Sequence, residues 1–118
     1  MINDLIKLIQ EHPDYPVVAR VDSQVCYEAD FFPWYLGGFG NAETGELLIY
    51  HKFSYTEGVY TERRHFIEDW QDENYNKPKY SKLSSEEFEE LAKKICDEQN
   101  WKKVIFVDIY PFDEEDIL

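Results

Sequence analysis

Basic residues are scarce in this chain. Twelve lysines and arginines stand against 25 aspartates and glutamates among 118 residues, which gives a formal net charge of −13. Affinity for nucleic acids depends mainly on Lys and Arg displacing counterions from phosphates, so direct binding to DNA or RNA is disfavoured. Anionic membrane surfaces are disfavoured for the same reason. Charge of this sign instead favours a basic protein surface, a cationic ligand or simple solubility.

Cysteine is also scarce. The two cysteines, Cys26 and Cys96, are too few for the disulfide framework of a small secreted protein. No charged, apolar and small-residue signal sequence opens the chain, and its apolar runs fall far short of the ~20 residues that cross a bilayer. We therefore expect a cytosolic, non-membrane protein with reduced thiols, in which Cys96 is a core residue and Cys26 a half-buried strand residue.

Catalytic and metal-binding motifs are missing as well. His12, His51 and His65 match no metal-ligand spacing, and the glycines form neither a dinucleotide-binding nor a phosphate-binding loop. With so many acidic residues, pairs of carboxylates arise by chance and are expected on solvated faces. We expect no catalytic residue, metal or cofactor. A zinc site of Cys26, Cys96 and a histidine, or a Cys26 nucleophile with His51 as base, could be assembled only by the fold.

Aromatic surface is what the chain has in abundance, and it is concentrated in residues 31–40, Phe-Phe-Pro-Trp-Tyr-Leu-Gly-Gly-Phe-Gly. Each ring removes ~150–250 Å² from water when it is buried. Three glycines in the same stretch let another segment approach closely. We expect a strand and turn that pack on the first helix and organise the core. The alternative is that Trp34, Tyr35 or Phe39 stays exposed as an anchor for a partner.

Hydrophobic periodicity predicts three helices. Residues 2–11 repeat apolar side chains at helical spacing until His12-Pro13 stops the helix. Residues 62–73 place aromatic side chains on one face and carboxylates on the other. The sequence Ser-Ser-Glu-Glu at 84–87 matches a capping box, and the apolar face that follows it predicts a third, half-buried helix.

Strand patterns complete a predicted α+β fold. The predicted strands are residues 17–21, 34–39, 46–53, a brief edge strand at 59–61, and 104–110. Turn residues at 41–45 predict an antiparallel hairpin, and the continuous apolar run of the last strand predicts a central strand covered on both faces. We therefore expect a single mostly antiparallel sheet of about four strands, with three helices packed mainly on one face. Residues 1–118 would form one domain with a short acidic tail at 113–118.

Four segments carry a resemblance to known proteins. They are Pro-Val-Val-Ala-Arg-Val-Asp at 16–22, Trp-Tyr-Leu-Gly-Gly-Phe-Gly at 34–40, Leu-Ser-Ser-Glu-Glu at 83–87 and Trp-Lys-Lys-Val-Ile at 101–105. Together they resemble small, uncharacterised acidic accessory proteins of phages and prophages from Gram-positive and gut bacteria. The resemblance implies an accessory protein of a mobile element in the bacterial cytoplasm, with no catalytic residues to transfer. Some phage proteins of this size and acidity inhibit CRISPR nucleases by occupying a nucleic-acid channel with carboxylates.

The sequence thus predicts a non-enzymatic protein that binds a basic surface, such as that of a host nucleic-acid-handling or defence protein, and mimics nucleic acid there. The predicted contact residues are Glu62, Glu68, Asp69, Asp72 and Glu73 on the second helix and Asp113, Glu114, Glu115 and Asp116 in the tail. One alternative is a small enzyme or ligand-binding domain with a pocket beside the aromatic-glycine strand. Another is a self-associating module that pairs edge strands near residues 59–61. The identity of the partner and the oligomeric state stay open.

Overall fold

Four α-helices and four strands make up the described part of the chain. The computed structural model describes residues 2–28, 34–54 and 56–118. In chain order the elements are α1 (Ile2–Glu11), β1 (Val17–Val21), α2 (Gln24–Glu28), β2 (Gly37–Ile49), β3 (Val59–Tyr60), α3 (Arg63–Asn74), a 3-10 turn (Pro78–Tyr80), α4 (Ser85–Asp97), β4 (Lys102–Pro111) and a second 3-10 turn (Glu114–Asp116). The predicted α+β class is confirmed, with four α-helices where three were expected.

The sheet is mixed. Its strand order is β1-β4-β2-β3, with β1 parallel to β4 and β2 antiparallel to β3. The prediction of a mostly antiparallel sheet is therefore wrong. The parallel register pairs Val17 with Ile105 and Val21 with Ile109, which lie far apart in sequence. Local hydrophobic patterns identify strands but do not specify the direction in which distant strands pair.

The central position of the last strand is confirmed. Four consecutive residues of β4, Val104 to Val107, are each at most 4 % exposed. Because successive side chains of a strand point to opposite faces, burial of all four means that both faces are covered. The β4 strand lies between β1 and β2 in the sheet.

The predicted hairpin within residues 34–53 is wrong, because β2 runs without a turn from Gly37 to Ile49. The glycines of β2 serve close packing instead. A side chain at Gly37 would collide with Ile109, and one at Gly40 would collide with the ring of Tyr110. At Gly45 a Cβ would lie 2.5 Å from the ring of Phe106.

A short helix replaces strand structure after β1. Cys26 was expected to lie in a strand, but it lies in α2. The carboxylate of Asp22 accepts a hydrogen bond of 2.9 Å from the backbone N–H of Gln24, which favours the start of a helix. Val25 is buried, whereas Cys26 is exposed on this helix, so the prediction of a half-buried strand cysteine is wrong.

Contacts divide the chain into two compact units. Unit 1 comprises Met1–Gly45 and Lys103–Leu118, and unit 2 comprises Glu46–Lys102. The core of unit 1 is small: Leu5 of α1 packs on Ile105 and Val107, with Leu8, Tyr15, Ala42 and Ile109 partly buried around them. A single domain over residues 1–118 stays a prediction.

The core of unit 2 is aromatic and is centred on Phe66. Its ring centroid lies 5.1 Å from that of Tyr50, 5.2 Å from that of Phe53 and 5.5 Å from that of Tyr60. The Cys96 thiol is also buried in this cluster, as predicted, and burial raises the pKa of Cys96. The inward aromatic face predicted for residues 62–73 is thus confirmed by Phe66, which is fully buried.

Arg63 connects three elements of unit 2. Its guanidinium donates two hydrogen bonds of 2.9 Å to the carboxylate of Glu46 and one of 2.9 Å to Asp97. The same group lies over the ring of Trp101, 5.0 Å from its centroid. The hydrogen bonds to Glu46 raise the pKa of Arg63 despite partial burial. A planar, bidentate contact of this kind needs arginine rather than lysine.

The predicted capping box is present at the start of α4. The Ser84 hydroxyl accepts a hydrogen bond of 3.1 Å from the Glu87 backbone N–H, and the Glu87 carboxylate accepts one of 3.1 Å from the Ser84 backbone N–H. We expect Ser84→Ala to lower the free energy of unfolding by about 1 kcal/mol, because it removes the acceptor for a helix-terminal N–H.

Urea denaturation followed by circular dichroism measures this change. Ser85→Ala is the matched control, because Ser85 is exposed in the first turn of α4 and accepts no capping bond. An equal loss of stability in the two variants would contradict the assigned cap.

Candidate partner-binding surface

The described part of the aromatic-glycine stretch is exposed. Trp34 is 78 % exposed, and Tyr35 and Phe39 are each 51 % exposed. The expectation that these rings pack in the core beneath the first helix is therefore wrong. Phe31, Phe32 and Pro33 lie outside the described residues.

The exposed rings lie at one end of the sheet in unit 1. The β2 strand begins at Gly37, where a Cβ would lie 3.2 Å from the carbonyl oxygen of Tyr110 near the end of β4. Gly45, later in β2, lies instead against Phe106, so the two adjacent strands run in opposite directions. Residues 34–36 and the residues after β4 consequently leave the sheet at the same end.

The acidic tail starts at this end. Asp113 accepts a hydrogen bond of 3.0 Å from the backbone N–H of Glu115, which stabilises the 3-10 turn. The side chains of Glu114 and Glu115 are exposed, and so are the aliphatic side chains of Ile117 and Leu118. The tail thus presents both charge and apolar surface. The side chain of Asp116 lies outside the described part of the chain.

Tyr110 and Phe112 add further exposed aromatic surface at the end of β4. Tyr110 was expected only as the last residue of a buried strand, and Phe112 was not among the predicted contact residues. Pro111 is the signal that could have identified them, because a proline that ends a strand places its neighbours at the rim of the sheet. We define the aromatic rim as residues 34–39 with Tyr110 and Phe112.

Two of the predicted α3 carboxylates form hydrogen bonds within unit 2. The phenol of Tyr60 donates a hydrogen bond of 2.6 Å to Asp69. Ser54 donates two to Glu73, from its backbone N–H at 3.3 Å and its hydroxyl at 3.0 Å. These contacts attach the segment before β3, and β3 itself, to α3. Asp69 and Glu73 therefore have less hydrogen-bonding capacity left for a partner.

The other predicted carboxylates of α3 and its N-terminus differ in their surroundings. Glu62 forms an ion pair with Arg64 at 3.6 Å, and its carboxylate lies 3.3 Å from the Nε2 atom of His65. Glu68 and Asp72 are exposed and form no hydrogen bond or ion pair with the described residues. Of the predicted acidic face, these two carboxylates are therefore the ones free to contact a partner.

A cavity of about 320 Å³ lies in unit 2 at the end of β2. It is lined by residues 47–52 together with Gln99, Asn100 and Lys102. The alternative function expected from the sequence needs a pocket beside the aromatic-glycine strand, and tyrosine, histidine and carboxylate side chains would suit the mouth of such a pocket. The observed lining contains Tyr50 and His51 but lysines rather than carboxylates. Within the part of the chain that the structure describes, no group of three His, Cys, Asp or Glu side chains is placed to hold a metal ion.

The free energy of unfolding at high pH depends on the hydrogen bond between Tyr60 and Asp69. Burial and the hydrogen bond to Asp69 raise the pKa of Tyr60 from 10 to about 12. The contribution of this phenol to stability is therefore complete below pH 10, and it is lost as the pH rises through about 12.

We expect thermal unfolding to show a fall in stability across this interval, and Tyr60→Phe to remove that component. Tyr75→Phe is the control, because Tyr75 is an exposed tyrosine of the same unit. If Tyr60→Phe and the unmodified chain lost stability in parallel, the buried hydrogen bond would be contradicted.

Comparisons of this chain with protein-family models, with curated proteins and with solved structures find no match. The resemblance to phage and prophage accessory proteins therefore stays a prediction. In the described ranges, no helix has both the length and the apolar character needed to span a membrane. Support for a function therefore comes from the exposure and charge of the described side chains.

Proposed function

We propose that this chain is a non-enzymatic protein-binding module that holds a basic, partly apolar surface of another protein. The aromatic rim provides the anchor, and the acidic tail provides charge beside it. The observation that carries this proposal is the joint exposure of Trp34, Tyr35 and Phe39 at the end of the sheet where the tail begins. Aromatic side chains are enriched at the centres of protein interfaces, where they contribute much of the binding energy.

Most exposed large hydrophobic residues of the described ranges belong to unit 1, the unit that carries the aromatic rim. In unit 2 the exposed large hydrophobic residues of the described ranges are Ile49, Val59 and Tyr75. In unit 1 they are Ile2, Ile6, Ile9, Val17, Val21, Trp34, Tyr35, Leu36, Phe39, Tyr110, Phe112, Ile117 and Leu118. Scattered apolar side chains are normal on a protein surface, but their concentration in one part of a molecule is typical of interaction sites.

Charge supports a basic partner. The net charge of −13 attracts a positively charged surface over a distance of about 8–10 Å at physiological salt. At the sheet of unit 1, Arg20 is paired with two carboxylates, Asp108 at 2.7 Å and Glu43 at 2.9 Å, so this group of three side chains keeps a net negative charge. Electrostatic complementarity of this kind raises association rates more than it raises affinity.

The class of partner follows from the same charge. Proteins that handle nucleic acids expose basic channels, and a module that occupies such a channel blocks nucleic-acid access. A phage or prophage accessory protein that inhibits a host defence nuclease in the bacterial cytoplasm is one form of this function, supported by the net charge and by the sequence resemblance. This class of partner is therefore part of the proposal.

The anchor role of Trp34 can be tested with a displayed peptide library of graded net charge, selected on the immobilised chain. We expect the selected peptides to be basic and to contain apolar residues. Trp34→Ala should weaken their binding at least tenfold, because truncation of a central aromatic anchor commonly costs about 2 kcal/mol of binding free energy. Affinity is measured by fluorescence anisotropy with labelled peptides.

Tyr75→Ala is the matched control for this substitution. Tyr75 is an aromatic residue of unit 2 that is 70 % exposed, so its removal should leave affinity unchanged. Selection of acidic or neutral peptides, or an equal loss of affinity in both variants, would contradict the proposed surface.

The carboxylates of the tail and of α3 can be separated by paired substitutions. We expect Glu114→Gln with Glu115→Gln to slow association with the selected peptides and to flatten its dependence on salt, because the tail leaves the sheet at the end where Trp34 enters it. Glu68→Gln with Asp72→Asn removes the same formal charge from exposed positions of α3 and should change association less. Stopped-flow measurements at several salt concentrations give both rates. The reverse order of effects would place the contact on α3 and reject the tail.

A further inference from the structure

Among the described strands, β1 forms one edge of the sheet and pairs with β4 alone. The carbonyl of Pro16 accepts a hydrogen bond of 2.8 Å from the N–H of Ile105, and the N–H of Asp22 donates one of 2.9 Å to the carbonyl of Ile109. In a parallel pair, alternate residues direct both backbone groups towards the neighbouring strand. The N–H and C=O groups of Val17, Ala19 and Val21 therefore point away from β4.

The residues of β1 themselves carry few of the features that natural proteins use to prevent edge pairing. Edge strands are commonly protected by lysine, by proline, by a bulge or by being very short. The five residues of β1 are Val-Val-Ala-Arg-Val, without lysine or proline. Its outward-directed residues are also exposed, Val17 by 46 % and Val21 by 56 %. The opposite edge of the sheet, β3, has only two residues and is followed closely by Glu62.

We propose that β1 pairs antiparallel with β1 of a second copy of this chain, across a two-fold axis at Ala19. The outward positions of β1 read Val-Ala-Val in both directions, so the strand is complementary to itself. Val17 then lies opposite the partner's Val21, and Ala19 lies opposite the partner's Ala19. Each opposed pair exchanges both of its N–H···O bonds, and the exposed valines become mutually covered.

The charges on β1 are compatible with this pairing. Arg20 is the strand's one charged residue, and its guanidinium is bound within its own chain to Asp108 and Glu43. It also lies over the ring of Phe106, 4.8 Å from the centroid. In the proposed register Arg20 lies opposite the partner's Val18, so like charges do not meet.

Salt distinguishes a second copy from a basic partner. Two chains that each carry a net charge of −13 repel one another, and added salt screens that repulsion. Association of two copies should therefore strengthen as salt rises. Binding of a basic protein strand to the same edge would weaken under the same change. The change in affinity with salt therefore has opposite signs for a second copy of this chain and for a basic partner protein.

Sedimentation equilibrium of the full chain, from about 10 μM to about 1 mM protein and at about 0.05 and 0.5 M salt, tests the proposal. We expect a particle of twice the chain mass whose dissociation constant falls as salt rises. Val21→Lys should raise the dissociation constant at least tenfold. Ala19→Pro should do the same, because it removes an outward N–H while leaving the bonds to β4 intact. Circular dichroism checks that each variant is folded.

Two controls locate the interface. Val59→Lys places the same charge on the exposed residue of the opposite edge strand and should leave the dimer intact. Trp34→Ala should also leave it intact, because the aromatic rim belongs to a different surface. The proposal is overturned if the chain stays monomeric throughout, if folded Val21→Lys dimerises normally, or if Val59→Lys or Trp34→Ala dissociates the dimer.

Discussion

Burial of β4 on both faces is the constraint on which unit 1 depends. Its four central residues need a neighbouring strand on each side and cover above and below. The glycines of β2 allow that strand to approach closely, since Ile109, Tyr110 and Phe106 occupy the space where side chains of β2 would otherwise lie. The rings of β4 therefore fill the positions beside β2. Trp34 and Tyr35, which precede β2, are exposed.

The elements that the sequence predicted well are those encoded by local interactions. The helical repeat of residues 2–11 and the capping box at Ser84 and Glu87 both involve residues within a few positions of one another. The buried run of β4 was equally clear, because a continuous apolar segment of that length needs cover on both faces. In each case local chemistry and the final packing favour the same structure.

The errors arise where distant residues decide the outcome. Residues 41–45 have the composition of a turn, but Gly45 is used for contact with Phe106, more than 50 residues away. The parallel direction of β1 depends on β4, whose partner residue for Arg20 is Asp108. Whether Trp34 is core or surface could not be decided from composition, because the same ring suits either environment. The hydrogen bond from Tyr60 to Asp69 could not be predicted either, since any of 25 acidic residues could accept a hydrogen bond from the Tyr60 phenol.

Two surfaces of unit 1 thus have different physical characters. The aromatic rim combines large rings with the carboxylates of the tail, a combination suited to a basic and partly apolar partner. The β1 edge offers backbone hydrogen bonds and small aliphatic side chains, a combination suited to another strand. We expect added salt to weaken binding of a basic partner at the aromatic rim and to strengthen pairing of two copies at the β1 edge, because salt screens attraction in the first case and repulsion in the second.

The central claim is that Trp34 is on the surface while Trp70 is in the core. Hydroxyl-radical footprinting with mass spectrometry compares the two indoles directly in the free chain at low concentration. Our account predicts that Trp34 is modified nearly as fast as tryptophan in an unfolded peptide and that Trp70, at 4 % exposure, is strongly protected. Equal protection of Trp34 and Trp70 would contradict it.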